Sequence, residues 1–84
     1  MTLPYLIVQI DLALSLNPEA PLKKRMFIVN KVKEEIYSLI SDRANQSKDN
    51  KKYEKILEMA AKEEDSYEEI LKTLEKIQDK MWEL

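Results

Sequence analysis

The stretch NKKYEKILEMAAKEEDSYEEILKTLEKIQDKMWEL, residues 50–84, decides the fold. Positions 53, 56, 60, 63, 67, 70, 74, 77, 81 and 84 alternate steps of three and four, and all but Glu63 are apolar or aromatic. That spacing keeps side chains on one face of a helix. An unbroken helix over 50–84 would carry a heptad seam along its whole length and would need a partner helix, hence a dimer. A second signal cuts across this seam. Lys62-Glu63-Glu64-Asp65 interrupts the apolar face, and Ser66-Tyr67-Glu68-Glu69 has the form of a capping box. In such a box the Ser66 hydroxyl accepts from the Glu69 amide and the Glu69 carboxylate reaches back to the Ser66 amide. We therefore read two helices, 50–63 and 66–83, folded into a hairpin, with the long helix 50–84 in a helical dimer as the alternative.

Working outward, residues 42–50 contain no large apolar side chain and read as a linker. Ser47, Asp49 or Asn50 could cap the helix that follows. Before the linker, Leu22, Met26, Val29, Val32, Ile36, Leu39 and Ile40 form the broad apolar face of a helix over 21–43, opened by Pro21. Asn17-Pro18 marks a break, because the residue before a proline is pushed away from the α region. The segment 3–16 is ambiguous. Val8, Ile10, Leu12, Leu14 and Leu16 alternate as in a strand, while Leu3, Ile7, Ile10 and Leu14, flanked by Leu6 and Ala13, make a helical stripe. A lone strand with no partner is a liability, so helix is the preferred reading. The fold expected is all-α: one domain, a small antiparallel bundle of three to four helices.

Composition supports this and narrows the chemistry. The 84 residues contain no glycine, which the tight turns of β-sandwiches favour. A chain this short buries only about 60–65% of its unfolded surface, and it has no cysteine to staple it. The lack of cysteine fits a cytoplasmic protein. With neither cysteine nor histidine, the usual activated nucleophiles are excluded. No glycine-rich loop is present to cradle a phosphate. The acidic cluster Glu63, Glu64, Asp65, Glu68 and Glu69 lacks calcium-loop spacing and reads as the solvated start of a helix. No catalytic, cofactor or metal site is expected, and no enzyme activity.

Residues 1–48 carry seven Lys/Arg against five Asp/Glu (+2), whereas residues 49–84 carry seven Lys against eleven acids (−4). Lys23, Lys24, Arg25, Lys31 and Lys33 follow one another with no acid between them. They spread around the second helix and suit a solvated surface, an acidic partner or anionic lipid headgroups. The basic excess is too small to expect nucleic acid. The segment 3–16 is shorter than the roughly 20 residues of a membrane span, so only a peripheral membrane contact is envisaged. Met26, Met59 and Met81 read as core fillers. Trp82 lies off the 70-74-77-81 stripe and either docks on the bundle or meets a partner.

Three segments resemble bacteriocin immunity proteins of the enterocin A type: Ile36-Tyr37-Ser38-Leu39-Ile40-Ser41-Asp42, then Tyr53 to Ala61 with its paired alanines, then Tyr67 to Leu74. The likeness spans residues 34–80 and rests on helix-packing patterns. The resemblance implies an antiparallel four-helix bundle in the cytosol of a Gram-positive producer cell, protecting it from its own pore-forming peptide. It further implies action at a membrane receptor to which that peptide binds, with specificity set by the C-terminal half, here Lys76, Lys80 and Trp82. The apolar segment Leu3–Leu16 and the end soon after the last helix depart from that pattern. The function expected is binding of a protein partner, with Lys23, Lys24, Arg25, Lys76, Lys80 and Trp82 as candidate contacts. The alternatives are a structural or assembly subunit, a homodimer with segment 3–16 in the interface, and a small phage or plasmid regulator that binds a host protein.

Overall fold

The computed structural model describes residues 3–48 and 50–84. Four helices follow one another: α1 (Leu3–Leu14), α2 (Leu22–Gln46), α3 (Lys51–Ala61) and α4 (Tyr67–Trp82). Among the described residues there is no strand, so segment 3–16 is helical up to Leu14. Among the described residues fifteen apolar side chains make one core, supplied by all four helices.

The hairpin replaces the long helix 50–84. The helix stops at Ala61, the backbone of Lys62 is extended, and α4 starts only at Tyr67. The seam nevertheless survives the break: Tyr53, Ile56 and Ala60 on α3, then Ile70, Leu74, Ile77 and Met81 on α4, are all buried, while Glu63 is exposed. Ser66 occupies the cap position, and its carbonyl accepts the first bond of α4 from the Ile70 amide at 3.1 Å, but its hydroxyl makes no capping hydrogen bond. Asn50 likewise precedes α3 without a side-chain cap, and Asp49 lies outside the described residues.

α2 runs on past Arg43 to Gln46, into the predicted linker. The reason is Ala44, buried one turn beyond Ile40 and two beyond Ile36: its small apolar face extends the stripe. At 25 residues α2 is about 37 Å long, and the molecule follows it, with extents of 44 × 23 × 17 Å. α2 and α4 each touch every other helix, whereas α1 and α3 do not touch one another. The bundle is therefore flat, with α2 and α4 in the middle and α1 and α3 on opposite sides.

The α1–α2 connection is built from the Asn17-Pro18 signal. The Ala20 amide donates to the Asn17 carbonyl at 3.0 Å and the Glu19 amide to Asn17 Oδ1 at 2.9 Å, a turn with proline at its second position. α1 is clamped to α4 by Gln78, whose Nε2 donates to the Ile7 carbonyl at 3.2 Å and to Asp11 Oδ1 at 2.6 Å. Its inner face is Leu6, Ile10 and Ala13, with Leu3, Ile7 and Leu14 half-buried beside them.

Candidate functional site

Apolar side chains that the core does not absorb stand on α1, on α2 and at the end of α4. On α1, Tyr5, Val8 and Leu12 are exposed. Steps of three and four place them on one line along the outer face, opposite Leu6, Ile10 and Ala13. This stripe exists because α1 is apolar nearly all round, with Asp11 its one charge. One helix side suffices to bury against α2 and α4, so the other is left over. The Tyr5 hydroxyl donates to Glu35 Oε2 of α2 across 3.5 Å, an exposed contact.

A second patch lies at the start of α2. Phe27 is 64% exposed and Ile28 is exposed beside it. With Pro21, Lys23 and Lys24 they line a hollow of about 570 Å³. Relative to Phe27, Lys23 is at i−4, Lys24 at i−3 and Lys31 at i+4, the positions that neighbour it on a helix surface. The Lys31 ammonium stands 5.6 Å from the centre of the Phe27 ring.

The predicted contact residues do not form one site. Lys23 and Lys24 belong to the Phe27 patch. Arg25 turns inward: its guanidinium covers the Tyr67 ring at 4.9 Å and its Nε donates to the Ala20 carbonyl at 3.0 Å. Lys76 and Lys80 are exposed and one turn apart on α4. Trp82 is two residues beyond Lys80, about 200° further round the helix, and so projects from a different face. It is 71% exposed and does not dock on its own bundle.

Two charges read as solvated are buried. Lys33, from α2, and Glu64, from the α3–α4 turn, have side chains only 7% and 3% exposed, with 3.2 Å between Nζ and Oε1. Lys33 also donates to the Lys62 carbonyl, and Thr73 Oγ1 donates to Glu64 Oε2 at 2.9 Å. A charge-assisted network thus ties α2, the turn and α4 together. Burial of a charge demands such pairing, and both Glu64 oxygens are taken up by the chain's own donors. The signal for Lys33 lay in its spacing: it sits four residues after Val29 and three before Ile36, on the core face rather than among the outer lysines. Glu64 gave none, because its burial follows from chain closure.

Among the described residues no group of three or more Asp or Glu is placed to hold a metal ion. Among the described residues no helix is long and apolar enough to cross a membrane. Compared with protein families, with curated proteins and with solved structures, the chain matches none.

Proposed function

We propose that this protein is a non-catalytic binding protein, a helical bundle that offers the outer face of α1 to a protein partner. The observation that carries this reading is the Tyr5–Val8–Leu12 stripe, an apolar line left in water by a helix whose other side is fully used. Such contiguous apolar surface marks interaction sites. Tyr5 also brings the amphipathic aromatic character enriched at interfaces.

The likeness to enterocin A-type immunity proteins gives the reading its most specific form, in which the partner is a membrane receptor with its bound peptide. The four-helix architecture agrees with that likeness. The surface does not follow the family's usual emphasis, because the apolar stripe lies on α1 rather than in the C-terminal half, where Lys76, Lys80 and Trp82 stand.

The test is expression in a strain sensitive to such a peptide, comparing wild type with Y5S/V8S/L12S. All three positions are exposed, so the variant is expected to keep its helical spectrum. Protection by wild type and its loss in the variant is the expected result. Unchanged killing with wild type present would remove the immunity form, and full protection by the variant would remove α1 as the site. Self-association through the same stripe is the competing reading, since a homodimer would cover it equally well. Light scattering at micromolar concentration separates the two: a wild-type dimer that Y5S/V8S/L12S converts to monomer would favour the assembly subunit.

A further inference from the structure

We propose that the N-terminal end of α2 docks on an anionic lipid surface, with Phe27 and Ile28 entering the headgroup layer and Lys23, Lys24 and Lys31 contacting the lipid phosphates. The patch differs from the α1 stripe in charge. The stripe has no cation on its line, whereas Phe27 is ringed by three lysines at its helical neighbour positions. From Leu22 to Lys33 the chain holds no acid, and the first turn of α2 adds the positive end of its dipole. An apolar wedge framed by lysines is the pattern of helices that lie at a membrane interface.

Two features select lipid over other occupants. A two-fold pairing of copies through this patch would set three lysines against three lysines. Bidentate recognition of a partner's carboxylates or of nucleic-acid phosphates favours the arginine fork, yet Arg25 is held against Tyr67 and Ala20 and leaves only lysine point charges outside. Glu19 and Glu34 flank the patch, and Lys31 meets Glu34 at 3.7 Å with both side chains more than half exposed. That contact is weak in water and leaves Lys31 free to exchange partners.

The experiment is co-sedimentation of the full chain with vesicles of phosphatidylcholine, with and without phosphatidylglycerol, at several salt concentrations. Wild type is expected to bind only the anionic vesicles and to release as salt rises. At about five-fold per lysine, K23Q/K24Q/K31Q is expected to bind roughly a hundred-fold more weakly. F27S should lose about ten-fold or more, and E34Q should bind more tightly. Far-UV circular dichroism checks that each variant is folded. Y5S/V8S/L12S should bind vesicles like wild type, so failure of the α1 reading and failure of this one are separable. Absence of wild-type binding, equal binding to neutral vesicles, or undiminished binding by the folded triple lysine variant would each overturn the proposal.

Discussion

Glu64→Ala is the substitution that asks most of this structure. It removes the one carboxylate facing the buried Lys33 ammonium and the acceptor of the Thr73 hydroxyl. Among the described residues Lys33 would keep only the Lys62 carbonyl. Taking one partner from a buried ion pair costs about 3–5 kcal/mol, because the remaining charge stays desolvated. A chain of 84 residues has a total stability of only about 4–12 kcal/mol. The variant should therefore lose about a quarter or more of its stability and melt at least about 12 °C lower. Urea unfolding followed by far-UV circular dichroism reads the loss as a shift of midpoint at constant slope. The companion variant K33M/E64L/T73V removes every member of the network at once. It should return to within about 1 kcal/mol of wild type or exceed it, since a buried pair is often no better than well-packed apolar groups. A loss of less than about 1 kcal/mol for Glu64→Ala is what an exposed pair would give, and it would refute the burial of this network.

Two further outcomes follow from α1. Ile10 is fully buried, so Ile10→Ala should cost about 2–4 kcal/mol in the same urea titration, whereas Leu12→Ser on the outer face should stay within about 0.5 kcal/mol of wild type. Deleting residues 1–16 strips Leu6, Ile10 and Ala13 from α2 and α4, and the remainder should lose its cooperative thermal transition in calorimetry.

How far the sequence could be read depended on what each signal measures. Apolar spacing places residues on a helix face, and it found most of the core of all four helices, down to the seam that continues across the α3–α4 break, although Leu22, read as part of the α2 face, is exposed. The box at Ser66 marked where α4 begins, although its hydroxyl does not make the bond that gives such boxes their strength. Local composition misled at residues 43–46, where a single alanine was enough to continue the buried stripe of α2. Side-chain charge misled more. Lys33 and Glu64 read as surface groups, and only closure of the hairpin brings them within 3.2 Å in a site neither could occupy alone. The candidate surface was half legible. Lys23 and Lys24 were singled out for their charge. The Phe27 ring between them and the outer stripe of α1 required knowing which face of each helix the bundle consumes. Trp82 was noticed for its position off the α4 stripe, and the same reasoning explains why it stands apart from Lys76 and Lys80.

Every surface described depends on α3 and α4 folding back along α2 within one chain. The absence of cysteine makes this measurable without background, by placing spin labels on K52C and K80C and recording their separation by pulsed dipolar spectroscopy. Neighbouring helix axes lie about 8–10 Å apart, so the hairpin puts the labels within about 25 Å of each other, at low and high protein concentration alike. A separation of roughly 42 Å, the rise of one continuous helix between those positions, would contradict the bundle and with it the faces it exposes.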